Sequence, residues 1–543
     1  MKWAILTLIS IFICVCCSQM LEWDQAGNLI AHSFSIWGDW SAHFTFISNI
    51  LNRGVHWLSG DNPVFYGMPF QYPFLSHLFT AIFSFLTKLD VIHSTFYTSL
   101  ILLFTLPFVL FYFFTAIGLS IRQSIVANIL FLFLGGLQAF DSSLAANEPL
   151  TNQFKLGSIF TQPILFELFP QRAFLFGMIL LLFGLGYALN QIKLAKFSKI
   201  HFWWLALYFS FLSWMHIHSW IAMGTIILFY FLFNLKQKLS GKILYFGITV
   251  VSISIPLLYF LLMRTNHQTI ATSAANLGWQ KWYPGWAQNS NSGIPAAQEM
   301  NFLSFWFYNT GIFLPLAAMG KLILWKRKIK IFESPVFVLA TAGSFLFLIA
   351  EFINVQPYFY DNLKLFTYSF LFFTPFAAVA IDTLFEKKIF IPIALILIGI
   401  QSYTALKDYL FYYDQKQTTS FFTKEEFDLA EQFHTLRRSP DSLVIITPKH
   451  NHWVPAIAGN PVLMGYPGWL WSWGISYTPR EAEVNEVLTG GPHALEVLLK
   501  YPVEYIVVND RDMANQSPVS LSFLRSHYSV LMEQGQWHVF KVR

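Results

Sequence analysis

The sequence predicts a polytopic α-helical membrane protein with an α/β domain at its C-terminal end, and three observations lead there. Of 543 residues, 55% are hydrophobic, 19% aromatic and only 12% charged, the profile of a chain solvated by lipid. The apolar residues fall in stretches close to the roughly twenty that cross a bilayer. The basic residues gather between those stretches, at Lys193/Lys196/Lys199, Lys236/Lys238/Lys242, Lys326/Arg327/Lys328/Lys330 and Lys387/Lys388, and by the positive-inside rule such runs mark cytoplasmic turns. They form no basic face and carry no interleaved binding motif, which excludes nucleic acid as a partner.

With the N-terminus inside, the chain can be walked through about eleven crossings that keep every basic run in the cytoplasm. The first is Trp3 to Ser18. It holds all three cysteines, Cys14, Cys16 and Cys17, so the external parts have no disulfide and no cysteine metal site. Met1 to Gln19 also fits a cleaved signal peptide, but the bulky residues before Cys17 suit an uncleaved anchor better. A long external loop, residues 19–90, follows. Within it Leu75 to Leu86 reads as a surface or re-entrant helix, because a full crossing there would strand the later basic turns outside. The next crossings are Val91 to Gly118, Ser124 to Phe140, Ala173 to Asn190, His201 to Trp214, Ser219 to Phe233 and Ile243 to Met263. An outer loop from Arg264 to Met300 is too long for a plain connector. The last four crossings are Phe302 to Leu324, Pro335 to Phe352, Leu365 to Leu384 and Ile389 to Leu406, the last ending outside. The membrane domain is therefore 1–406 and the external α/β domain 407–543. In the latter Lys424 to Arg437 is an amphipathic helix, Leu443 to Thr447 and Tyr505 to Val508 are buried strands, and Pro479 to Leu488 and His493 to Lys500 are helices. The aromatic run Tyr466-Pro467-Gly468-Trp469-Leu470-Trp471-Ser472-Trp473-Gly474 suits either a membrane interface or a sugar site.

The stretch Ile36-Trp37-Gly38-Asp39-Trp40-Ser41-Ala42-His43-Phe44 opens the first external loop. Trp40, Phe44, Ile47 and Leu51 recur at helical spacing, which predicts a surface helix with one apolar face. Asp39 stands where the N-cap would be, where the helix dipole keeps a carboxylate ionised, the state a general base needs. His43 lies four residues on, near the same face. The bland alternative is a capping Asp and an interfacial His.

This order of parts resembles the GT-C class of integral-membrane glycosyltransferases: a first helix, an external loop with an early Asp39 on a surface helix, a Pro-led apolar helix (Tyr72-Pro73-Phe74-Leu75), a bundle and an external α/β domain. Within the class it is similar to the bacterial group that includes the aminoarabinose transferase of lipid A, and to the protein mannosyltransferases. The resemblance implies a polyprenyl-phosphate-linked sugar donor, a glycan, lipid or protein acceptor, and an acidic residue in the first external loop, a position that Asp39 matches. The family often has two adjacent acids there, whereas Trp40 follows Asp39 here.

Such a transfer needs a base for the acceptor hydroxyl, cations for the departing phosphate and a slot for the lipid. Asp39 is the base candidate, with His43 beside it. Cations at the outer ends of helices are few. Arg172 follows Pro170-Gln171, and Lys364 follows Asp361-Asn362; an Arg there can grip phosphate bidentately and a Lys acts as a point charge. The alternatives are snorkelling and a structural Asp361–Lys364 pair. His216 and His218, two residues apart, face different ways unless the turn is extended, and suit hydrogen bonding to phosphate better than metal. Asp61 reads as a turn residue, and Glu148 and Glu167 are further acids. No cofactor is certain, and a divalent metal is possible. The expected setting is a bacterial inner membrane with the C-terminal domain in the periplasm. A transporter or flippase for lipid-linked glycans is the rival reading, but the charges gather at helix ends and no inverted repeat is visible. A non-catalytic assembly protein on the same scaffold stays open at this point.

Overall fold

The structure is a computed structural model that describes residues 1–70, 72–144, 149–150, 161–194, 198–233, 238–262, 278–279, 301–327, 334–354, 359–415, 417–514 and 517–543. Glu148 and nearly all of the expected outer loop 264–300 lie outside the described residues. The chain divides into two compact units: one holds residues 1–20, 99–259 and 277–418, the other 21–98, 260–276 and 419–543.

The first unit is a helical bundle. Among the described residues, five helices are long and apolar enough to cross a membrane, or six if one bent pair counts as a single span. Four lie wholly in this unit: Arg172–Lys193, Pro335–Phe352, Leu363–Phe385 and Lys388–Tyr413. Each of the eleven expected stretches is helical over most of its length, the shorter ones including Lys2–Ser18, Ile121–Leu132 and Ile217–Phe233. Two differ from expectation. The stretch begun at Ser124 is already helical from Ile121 and stops at Leu132, and Phe302 to Leu324 is two helices, Phe302–Thr310 and Phe313–Lys326, bent by 96°. The break has a local cause: Gly311 takes a φ of +59°, which costs a glycine little and ends the first helix there.

Leu363–Phe385 is the axis of this bundle, buried along almost its whole length. The helices Phe313–Lys326, Pro335–Phe352 and Ile121–Leu132 pack on it. Gly320 makes one of these approaches possible, since a Cβ there would sit 1.9 Å from the Phe376 carbonyl oxygen. Near its far end the buried Asp382 is held by Arg122 and, at 3.0 Å, by the Gln123 amide.

The second unit is α/β. Leu443–Ile446 and Val503–Asn509 pair in parallel, and Trp537–Lys541 and Ser529–Gln534 extend the sheet antiparallel, in the order 529–534, 537–541, 503–509, 443–446. The expected helices are present as Lys424–Leu436, Thr478–Thr489 and Ala494–Lys500. The expected boundary at residue 407 falls inside the helix Ile391–Tyr413, and the α/β unit resumes at Thr419. The stretch expected to form the first external loop belongs to this same unit from Leu21 onward. Its strands Leu21–Trp23 and Leu29–Ala31 form an antiparallel sheet with Thr419–Phe422, far apart in sequence but joined by backbone hydrogen bonds.

Replacing Gly320 by Val forces the Phe376 backbone away and is expected to cost about 3 kcal/mol or more. Gly399→Ala, where a Cβ meets nothing within 4 Å, is expected to be neutral or slightly stabilising. Thermal unfolding of the two variants in detergent separates the outcomes.

Candidate active site

The helix carrying Asp39 runs Phe34–Arg53. Its N-cap is Ser33, in extended conformation, whose hydroxyl accepts from the Ile36 N–H. Asp39 is therefore no cap. It sits in the second turn, half-buried, where the dipole field that acts on the first turn is weak. Nor is the helix a surface one. Every residue from Trp40 to Ile50 is buried, on all sides.

The partners that bury it come from within the second unit. Ser48 Oγ donates to the Ala456 carbonyl at 2.8 Å and Asn52 Nδ2 to the Ala458 carbonyl at 2.7 Å. The tight turn Val454–Ala458 ends at Gly459, with φ +70° and room for no side chain beside Asn52. Phe44 packs against Phe421. Close to Asp39 the loop after strand Leu443–Ile446 closes a clamp. The His450 ring stacks on Trp37 at 4.2 Å and 15°, its Nε2 lies 2.8 Å from the Gly38 carbonyl, and Ser41 Oγ donates to the His450 carbonyl at 3.3 Å. On its other side the ring's Nδ1 faces the Asn451 side-chain amide at 2.6 Å. Burial holds this imidazole below its usual pKa and so neutral, against the smaller pull of Asn451 and the Gly38 carbonyl.

His43, one turn on from Asp39, is buried and has its Nδ1 2.8 Å from Nε2 of the equally buried His77. One ring must donate and the other accept, which fixes complementary tautomers. His77 belongs to Leu75–Thr87, the Pro-led helix. Asp61, expected as a turn residue, lies instead in the short strand Asp61–Asn62, its carboxylate accepting from Gly67 N at 3.0 Å across a two-stranded hairpin. The aromatic run enters here as well: Trp473 lies 5.8 Å from Phe46 and 5.6 Å from Tyr72, and Trp469 5.2 Å from His450.

The cationic candidates fall in the first unit. Arg172 is fully buried at the start of Arg172–Lys193, with Nε donating to Ser99 Oγ at 2.8 Å and the guanidinium over Phe176. Two residues on, Phe174 stacks on His216 at 4.7 Å and packs against Tyr368 at 5.4 Å. His216 is extended, with φ −163° and ψ 115°, and interrupts the helix between Leu212–Met215 and Ile217–Phe233. That extension brings the His216 and His218 rings to 5.2 Å. His216 Nδ1 meets Ser219 Oγ at 2.8 Å, and Tyr368 donates to that hydroxyl at 2.6 Å. Lys364 is within electrostatic reach of both histidines and forms the pair with Asp361 at 2.5 Å. Glu167 is buried in the turn Ile164–Leu168. Arg172, His216, His218 and Lys364 thus share one end of the bundle.

No family model matches the chain, and no curated protein does. Solved structures do. The archaeal oligosaccharyltransferase AglB from Archaeoglobus fulgidus, in complex with an inhibitory peptide and a dolichol-phosphate, superposes with a TM-score of 0.56 over 94% of this chain and 69% of that one, at 11% identity. The chain has the GT-C glycosyltransferase fold. A complex of the same archaeal enzyme with Zn and sulfate gives 0.55 over 93% and 68%, at 13% identity. The arabinofuranosyltransferase AftD from Mycobacteria gives 0.55 at 11% identity, all of this chain matching 40% of that longer GT-C protein. The zinc bears on the possible metal of this fold. Among the described residues no three His, Cys, Asp or Glu side chains gather as a metal site, and the facing nitrogens of His43 and His77 are engaged with each other.

Two residues that the sequence reading did not single out, His77 and His450, hold the Asp39 helix within the second unit. The signal for His77 was a lone imidazole in the apolar run after Pro73; His450 gave none. Burial also lowers His452, fully enclosed, well below its usual pKa, with Lys449 adding to the effect. The unfolded chain takes up these protons near pH 6.5 while the native state resists them, so stability is complete above that pH and is lost as pH falls below it. The unfolding temperature is expected to drop between pH 7.5 and 5, and His452→Gln to flatten that drop.

Proposed function

We propose that the protein is a glycosyltransferase that uses a polyprenyl-phosphate sugar and acts at the outer face of a bacterial inner membrane, by inverting single displacement. The observation that carries the reading is Asp39: in a chain with the GT-C fold, it is a half-buried carboxylate on a helix gripped at Trp37, Gly38 and Ser41 by the His450 loop. In this reading Asp39 takes the proton of an acceptor hydroxyl. The acceptor oxygen attacks the anomeric carbon as the bond to the phosphate oxygen breaks, and the polyprenyl phosphate departs with the electron pair. Arg172 and Lys364 meet the phosphate charge, and His216 or His218 hydrogen-bonds it. His43, tied to His77, positions the helix one turn below the carboxylate. AglB was solved with a dolichol-phosphate and a peptide, which supports a lipid-phosphate donor for this fold; the acceptor here is a glycan, lipid or protein. The α/β domain is placed in the periplasm.

Asp39→Asn keeps the shape of the side chain and removes its basicity. It is expected to lower transfer from a polyprenyl-phosphate sugar by about a hundred- to ten-thousand-fold with unfolding temperature unchanged. Unchanged transfer in the folded variant would refute the assignment. Arg172→Lys keeps the charge but not the bidentate grip, and is expected to weaken donor use while leaving the acceptor KM alone.

A further inference from the structure

A lipid-sized opening lies in the first unit, away from these residues. It is a cavity of about 800 Å³ whose walls include Leu189, Ile192, Phe202, Ile226 and Val338, with Ser198, Lys199 and Lys242 among its few polar groups. At roughly 30 Å³ per water-sized group, it holds on the order of twenty-five methylenes, the bulk of one or two acyl chains.

Its place in the fold separates it from the phosphate candidates. Ala188 and Leu189 line it, and they lie sixteen and seventeen residues along the helix that Arg172 begins, a rise of about 24 Å. The lysines are not scattered. Lys199 starts the helix Lys199–Ser210, and Lys242 stands early in Lys238–Leu262. Three residues beyond each, Phe202 and Tyr245 stack at 5.3 Å and 16°. Further on, Ser210 Oγ donates to the Val250 carbonyl, so the two helices run in the same direction. Lys199 and Lys242 therefore stand one turn before the same stacked pair, at one level of the two helices, and both residues are exposed. No carboxylate is among the lining residues. An apolar chamber with two cations at one level matches a molecule with hydrocarbon chains and an anionic head.

We propose that this cavity binds an anionic glycerophospholipid, its acyl chains among the helices and its phosphate held by Lys199 and Lys242. The site is distinct from the one proposed for the sugar donor and does not depend on that function.

The test uses the full chain, delipidated in detergent, with phosphatidylglycerol and phosphatidylcholine of identical chains, read by native mass spectrometry and thermal unfolding. Phosphatidylglycerol is expected to be retained and to raise the unfolding temperature more than phosphatidylcholine does. Lys199→Gln with Lys242→Gln, both at exposed positions, should erase the preference, about fivefold in affinity per lysine. Ala188→Trp should fill the chamber and abolish retention of both lipids. Equal retention of the two lipids by wild type would overturn the proposal, as would an unchanged preference in the double variant. So would undecaprenyl phosphate displacing phosphatidylglycerol from the wild-type protein, which would make this a polyprenyl site.

Discussion

The enclosure of one helix is the constraint on which the second unit depends. Phe34–Arg53 is buried from Trp40 to Ile50, and a helix buried on every face must satisfy its polar side chains inside the protein. Thr45 does so within the helix, Ser48 and Asn52 reach the carbonyls of the turn at 456–458, and His43 reaches His77. The bonds of Ser48 and Asn52 tie this helix to residues more than four hundred positions later. Removing one partner leaves a buried donor or acceptor unpaired, a larger loss than the net worth of the bond.

That enclosure also changes how Asp39 has to be understood. At a cap, the helix dipole would set its charge state. In the second turn the carboxylate depends on its immediate surroundings, and what the fold supplies is position. The carbonyl just before it is held by His450, the ring two residues before it is stacked on the same imidazole, and Ser41 two residues after closes the other side. A base useful in catalysis has to be within hydrogen-bond reach of the proton it removes, and a backbone held at three points restricts where that carboxylate can be.

The sequence made the helical stretches and the α/β elements legible because each has its own local signature, apolar length in one case and short β-branched runs or amphipathic patterning in the other. The Asp39 helix was legible as a helix, but its start was not: Ser33 and Asp39 are both good cap residues, and only the backbone at Ser33 decides between them. Its burial was hidden for a different reason. Trp40, Phe44 and Ile47 describe one apolar face, while Ser41, Ser48 and Asn49 look like a wet one until their partners in residues 419–543 are known. The bend at Gly311 was readable only in part, since an isolated glycine in an apolar run is as often tolerated as it is a break.

The candidate cations show the opposite case, a condition stated from sequence and met by conformation. Two histidines at i and i+2 diverge on a helix and converge only if the chain between them is extended. His216 takes that extended conformation, and the reason lies in its neighbours. Gly177 has no room for a Cβ, because His216 and Ser219 pack directly on its backbone. Phe174 covers the imidazole face, and Tyr368 and Ser219 complete the hydrogen bonds around it. The interruption is thus built by a glycine, an aromatic and two hydroxyls drawn from three helices, and it gives His216 a fixed ring orientation beside His218. A flexible turn of the same sequence would leave the two imidazoles free to point apart. Placement by packing, more than the presence of histidine, is what makes this end of the bundle suited to hold one anionic group.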